Sequence, residues 1–341
     1  GPEVWKKINM SPDMAASGRA IADLYPQSGG RELDGVFIMD VYALARFLEF
    51  TGPIDLPDGQ FFDGQRAVDV DTAPDFLLNG QYDLTSTEER IDVLEDFSLS
   101  VIDRLLATTL PPPTALLDAL GPMVDQGRFT GWAARGSAQN LFDQLGMSGT
   151  LAPLDIDLDG DAVAVVFNNV VGNKVDYYLD ASGSYTVTAD AATSTATAEL
   201  VVELTNDAPN TGEPNYVIGN AIGLPDGSNR TWVSVFSRLP VGDVRVDDRP
   251  VATELGVEAG YYVTSAAVTL APGDSATLTV SMNGRLDVAD GYELALRTPP
   301  TVTPMPVRVQ ATWIDGDGRA RRSIEDRSDP GLAVITVNGE R

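Results

Sequence analysis

Apolar positions recur with helical spacing through the first 150 residues and with strand alternation after about residue 160. Ser11 and Pro12 read as the N-cap and first residue of a helix that Gly29-Gly30 ends. Residues 33–56 predict a short apolar strand over Gly35–Met39, a helix capped by Asp40, a stop at Thr51-Gly52-Pro53 and a second extended segment, which is one unit of an α/β sheet. Phe37, Ile38 and Met39 suit a central strand. Residues 65–79 read as a helix in two pieces around Pro74. Thr85 and Glu88 form a capping box for a long helix to Leu110, with Ile91, Leu94, Phe97, Val101 and Leu105 as its buried face. Helices near 114–126 and 136–146 flank a strand at Phe129–Trp132.

The second half predicts strands at Ala162–Phe167, Val175–Leu179, Tyr185–Ala189, Thr195–Leu204, Thr231–Phe236, Val241–Val246, Tyr261–Leu270, Ser275–Met282, Glu293–Thr298 and Val307–Ile314. Turn signals at Asp226-Gly227, Pro272-Gly273-Asp274 and Asn283-Gly284 separate them. The expected organisation is a helix-rich α/β domain over 1–155 and an immunoglobulin-like β-sandwich over 156–341, without the cysteines of antibody domains.

Composition narrows the chemistry. The chain has no His and no Cys, so thiol catalysis, thiolate metal sites and imidazole base catalysis are excluded. The net charge of −27 is evenly spread: residues 1–150 hold 10 basic and 23 acidic side chains, leaving 13 and 27 in the remainder. Such a surface repels nucleic acid and anionic lipid unless a local basic pocket intervenes. No apolar run is long enough to span a bilayer. Asp34 and Asp40 bracket a strand and lie on the order of 20 Å apart by strand rise, too far for a glycosidase carboxylate pair.

Four blocks carry a family resemblance: Val4-Trp-Lys-Lys-Ile-Asn-Met-Ser-Pro-Asp-Met, Leu33-Asp-Gly-Val-Phe-Ile-Met-Asp, Phe50-Thr-Gly-Pro-Ile and Phe167-Asn-Asn-Val-Val-Gly-Asn-Lys-Val-Asp-Tyr-Tyr-Leu-Asp. Over most of residues 1–240 the chain resembles an actinobacterial envelope family known as domain of unknown function 4012. More distantly, the first half is similar to the LytR-CpsA-Psr glycopolymer transferases. That resemblance implies an α/β fold, a polyprenyl-phosphate glycopolymer or cell-wall glycan as partner, magnesium as cofactor, and an extracytoplasmic protein tethered through a membrane segment outside this sequence. It also implies early strands upstream of residue 1, supplied by a separate chain or a preceding segment, without which residues 1–60 would not fold stably. Lys7-Ile8-Asn9 matches the family's first block, and Arg90 stands alone where its arginine cluster falls. The second reading is a non-catalytic surface scaffold.

Candidate sites follow. Lys7, Asn9 and the helix N-terminus at Ser11 could hold a phosphate together with Arg90. Asn168, Asn169, Lys174, Asp176 and Tyr177 combine amides, a carboxylate and aromatic faces, as a sugar groove requires. Asp155-x-Asp157-x-Asp159-Gly160 opens like a calcium loop, but the acid expected at its twelfth position is Val166. A looser metal site would use Asp155, Asp157, Asp159 and Asp161.

Overall fold

A computed structural model describes residues 5, 7–56, 62–83, 87–107, 111–151 and 160–338. It divides into two units, Gly1–Gly149 and Thr150–Arg341.

In the first unit, α1 (Met14–Gln27) is capped by Asp13, not Ser11: the Asp13 carboxylate accepts the Ala16 N–H at 3.1 Å. A carboxylate gains from the helix dipole as well as from the bond, so it outcompetes a hydroxyl. Ser11 instead accepts the Asp13 N–H at 3.0 Å. After β1 (Gly35–Met39), Asp40 caps α2 (Val41–Arg46), accepting from the Tyr42 and Ala43 N–H groups at 3.0 and 2.9 Å. α3 (Leu48–Thr51) ends at Gly52, whose φ of +75° is a left-handed value that glycine accepts without strain.

The expected strand–helix–strand unit does not form. β2 (Ile54–Asp55) pairs antiparallel with β3 (Ala67–Val68), while β1 pairs antiparallel with the much later β4 (Phe129–Ala133). Ile54 is instead buried in the cluster beneath the long helix, which draws its strand away from β1. Pro74 lies in the first turn of α4 (Ala73–Leu78), so residues 65–72 are not helical. In α5 (Thr87–Ala107) the buried face holds Val93, Phe97 and Val101, with Leu94 and Leu105 packed partly against the cluster. Ile91 falls off it at 53% exposed. The capping-box residue Thr85 lies outside the described residues. α6 (Pro113–Asp125) and α7 (Gly136–Gln144) complete the unit. Phe76 centres its core, with the Phe62 and Phe97 rings at 5.4 and 6.1 Å. α1 lies on β1 and β4 because Gly18 has no side chain; a Cβ there would meet the Trp132 Cβ at 2.5 Å.

The second unit contains β5 (Asp161–Asn169), a 3₁₀ turn (Val175–Tyr178), β6 (Leu179–Asp190), β7 (Thr195–Asn206) and α8 (Asn215–Ile218). β8 (Asn229–Ser237), β9 (Val241–Val246), β10 (Arg249–Pro250), β11 (Glu254–Glu258), β12 (Tyr261–Leu270) and β13 (Ser275–Arg285) follow. β14 (Gly291–Thr298), β15 (Val307–Ile314), β16 (Ala320–Arg327) and β17 (Gly331–Asn338) end it. One sheet runs β10-β9-β13-β7-β6-β15-β16 and the other β11-β12-β8-β5-β14-β17. Their inner faces share a core around Leu200, Leu204, Leu278 and Leu294, and each fully buried leucine contributes about 1.5–3 kcal/mol.

Three expectations change here. The sheets are mixed, because β5 runs parallel to β14 and β6 to β15. Val175–Tyr178 is a turn of 3₁₀ helix, not a strand. Asn283-Gly284 lies inside β13 opposite Thr197 and Ala196, and Gly284 admits the Pro240 ring, which a Cβ would meet at 2.7 Å. Among the described residues, no helix is long and apolar enough to cross a membrane.

Candidate functional site

The polar loop residues singled out in the sequence gather at one end of the sandwich. β5 ends there at Asn169 and β8 begins there at Asn229. The Asn169 Oδ1 accepts the Val171 and Gly172 N–H groups at 2.9 and 3.0 Å, closing the turn, and its Nδ2 donates to the Asn173 Oδ1 at 2.9 Å. Asn173 in turn donates to the Ser228 carbonyl at 3.0 Å. Asn206, fully buried, donates to the Gly227 and Leu270 carbonyls at 2.9 and 3.2 Å and accepts from the Ala208 N–H. Asn229 donates to the Asp176 carboxylate at 2.7 Å and accepts from the Thr231 hydroxyl at 2.6 Å. An amide side chain both donates and accepts, so it can replace the ladder that a strand loses where it ends.

These braces hold a polar and aromatic rim. The Lys174 ammonium lies 5.7 Å from the centroid of the Tyr216 ring, which is 53% exposed. The Tyr177 and Tyr178 rings meet edge-on at 5.0 Å, and the Tyr178 hydroxyl donates to Glu213 at 3.1 Å. Asn168 stands on β5 opposite Trp232. Desolvation raises the Asp176 carboxyl pKa, opposed by bonds from Asn229 and Asn169 and by the Lys174 charge. The residue nonetheless reaches the surface. Asn169 is largely spent on bracing the loops, whereas Lys174, Asp176 and Tyr177 stand with Tyr216 near the surface. The sequence reading missed Asn206, Glu213, Tyr216 and Asn229 as parts of this site; asparagines at strand ends were the available signal.

The expected phosphate site is divided between elements. α1 packs on β1 and β4, whereas α5, which carries Arg90, packs on α3 and β2. Asp13 already occupies the α1 N-terminus with its own carboxylate. Lys7 and Asn9 are exposed, and the Arg90 guanidinium lies 5.2 Å from the Tyr82 ring centroid.

Of the expected metal ligands, Asp155, Asp157 and Asp159 lie outside the described residues. Asp161 is fully buried, and its Oδ2 accepts from Tyr185 at 2.6 Å and Tyr292 at 2.7 Å. Tyr185 belongs to one sheet and Tyr292 to the other, so this carboxyl fastens the two sheets instead of facing a solvent loop. Burial raises the Asp161 pKa, although both phenols and the Arg238 charge oppose that shift. Burial, then the Asp161 charge, push both phenols well above their usual value. Among the described residues no group of three acidic side chains could hold a metal ion.

The first unit contains an ion pair with one enclosed partner. The Arg128 side chain is almost fully enclosed; it donates to the Asp40 Oδ2 at 2.6 Å and to Gln126 at 2.9 Å, and lies 4.3 Å from the Tyr42 ring centroid. With both partners spent on each other and on the α2 cap, the pair serves structure.

Among known proteins, the family "Protein of unknown function (DUF4012)" matches residues 2–82, which supports that part of the resemblance. No curated protein matches. A Legionella pneumophila structure described as a nutrient-binding protein shares 10% identity at a TM-score of 0.29, covering 46% of this chain and 54% of its own. Leukotriene A4 hydrolase from Saccharomyces cerevisiae shares 10% identity at a TM-score of 0.28, covering 46% of this chain and 28% of its own. The chain thus spans about half or less of the length of these solved relatives, and likeness at such TM-scores assigns no chemistry.

Proposed function

We propose that the chain is an extracytoplasmic cell-envelope protein that binds a cell-wall glycan, or the glycan part of a lipid-linked glycopolymer, at the asparagine-braced end of its sandwich. The observation that carries this reading is the rim of Lys174, Asp176, Tyr177 and Tyr216. Flat aromatic faces beside fixed donors and acceptors fit a sugar ring, and the braces limit the entropy lost on binding. The resemblance to actinobacterial envelope proteins and to LytR-CpsA-Psr transferases supports the setting. Transfer chemistry is not part of the proposal, because the α1 N-terminus and Arg90 belong to separately packed helices and the Asp13 carboxylate fills that N-terminus.

Solubilised cell-wall glycan fragments titrated into wild type, Tyr216→Ala and Lys174→Ala test it. Each variant is expected to bind about tenfold more weakly, equivalent to about 1.4 kcal/mol, with little dependence on salt. Equal affinities, or no binding by the wild type, refute it.

A further inference from the structure

We propose that the open edge of β1 takes in, as a third strand, an extended segment of a partner protein with apolar residues at alternate positions and basic flanks. This inference concerns the first unit and stands independently of the glycan reading.

The hydrogen-bond parity identifies the edge. The Ala134 N–H donates to the Asp34 carbonyl at 2.9 Å and the Asp40 N–H to the Arg128 carbonyl at 3.0 Å. In an antiparallel pair, bonded residues alternate, so the even residues Val36 and Ile38 direct their peptide groups at β4. Gly35, Phe37 and Met39 direct theirs away from it. The same parity holds on β4, where the outward N–H groups of Gly131 and Ala133 reach the Met147 carbonyl at 2.7 Å and the Gln139 side chain at 2.9 Å. The chain therefore covers the far edge of β4 itself. Among the described residues, β1 pairs with β4 alone.

The side chains at this edge agree with the backbone. Phe37 contacts the Phe129 and Phe142 rings at 5.6 Å, yet remains 56% exposed, and Met39 is 38% exposed. A two-stranded ribbon is marginal alone, and a third strand over this apolar row would stabilise it.

Charge selects the occupant. Arg31, Glu32 and Asp34 are exposed beside one end of β1, where the acids outnumber the base, on a chain of net charge −27. A second copy paired about Phe37 would bring together two chains that each carry a net charge of −27 and repel. A basic-flanked strand meets complementary charge instead.

The test uses a labelled peptide, Lys-Lys-Val-Thr-Val-Thr-Val-Lys-Lys, followed by fluorescence anisotropy with the whole chain. Phe37→Pro removes an outward N–H without touching the ladder to β4 and should weaken binding at least tenfold. Phe37→Thr keeps that N–H, loses the ring, and should weaken binding about threefold. In hydrogen exchange, the amides of 35, 37 and 39 should be fast in the free protein and slow only with peptide, while those of 36 and 38 are slow throughout. Equal binding by wild type and Phe37→Thr, slow odd-numbered amides in the free protein, or equal binding of a glutamate-flanked peptide overturns the proposal. So does a concentration-dependent dimer abolished by Phe37→Pro, which would make the occupant a second copy.

Discussion

Asp161→Asn tests whether the carboxyl that joins the two sheets is held against its own ionisation. Its pKa is raised from the usual 3.8 of an aspartate because burial disfavours the anion more than two phenolic donors and the Arg238 charge favour it. A raised folded pKa means that the group's contribution to stability is complete below its unfolded pKa, near 4, and is lost as pH rises through the folded pKa. Asparagine keeps the shape and the acceptor for Tyr185 and Tyr292 but cannot ionise. Relative to wild type, Asp161→Asn should therefore gain stability as pH rises above about 4, with a slope approaching 1.4 kcal/mol per pH unit. The difference levels off above the folded pKa, so the plateau locates it. Tyr185→Phe should behave in the opposite sense: losing a bond to the carboxyl costs about 1 kcal/mol in acid, where the group is neutral, and about 1.5–3 kcal/mol once it is charged. Urea denaturation of the three proteins from pH 4 to 8 measures both, and differencing against wild type removes the background of the many surface carboxylates. A stability difference between Asp161→Asn and wild type that stays flat across this range would refute the reasoning.

Four further substitutions address the ion pair and the asparagine braces. Asp40→Asn keeps the α2 cap but leaves the enclosed Arg128 charge without its carboxylate, and should cost about 3 kcal/mol; Arg128→Met leaves a partly exposed aspartate that water can solvate, and should cost less in the same denaturation assay. Asn206→Ala strands the Gly227 and Leu270 carbonyls and should cost about 3 kcal/mol, while the isosteric Asn206→Asp should cost at least as much, since it turns a carboxylate oxygen towards them; an effect under about 1 kcal/mol for Asn206→Asp would count against the brace.

Periodicity located most strands of the second unit because their inner faces fill one core, and alternation is what such burial demands. β10, β11, β16 and β17 were not placed; of these, β16, Arg-Arg-Ser-Ile-Glu-Asp-Arg, is an edge sequence whose charges discourage further pairing and mask the alternation. In the first unit the apolar run of β1 was legible as a strand, but its partner was not. β4 lies some ninety residues later, and no local pattern encodes a pairing at that range. Asp40 as a cap could be read from its neighbours, whereas Asp13 displaced Ser11 through a difference in acceptor strength that position alone does not express. At the candidate site, Lys174, Asp176 and Tyr177 stood out as a polar and aromatic knot. Tyr216 and Asn229 lie more than forty and more than fifty residues away and join them through the Lys174 N–H bond to the Val217 carbonyl and the Asn229 bond to Asp176.

The charge of the whole chain bears on which ligand that rim could accept. A pyrophosphate approaching a surface of net charge −27 meets repulsion over roughly a Debye length, about 8 Å at physiological salt. Lys174 and Asp176 place one charge of each sign within the same few residues, so the rim supplies no basic focus to offset that field. A neutral sugar encounters no such barrier, and amides and phenols recognise hydroxyl groups without a net charge of their own. Bracing the loops with asparagine, rather than with ion pairs, adds no charge to a surface already far from neutral. The same reasoning applied to β1 gives a different partner: there the contact is backbone to backbone, the exposed acids Glu32 and Asp34 outnumber Arg31, and a basic strand is drawn in. The chain's acidity thus favours a neutral glycan at one unit and a cationic peptide at the other, and both preferences are measurable as different responses to salt, flat for the glycan and weakening for the peptide.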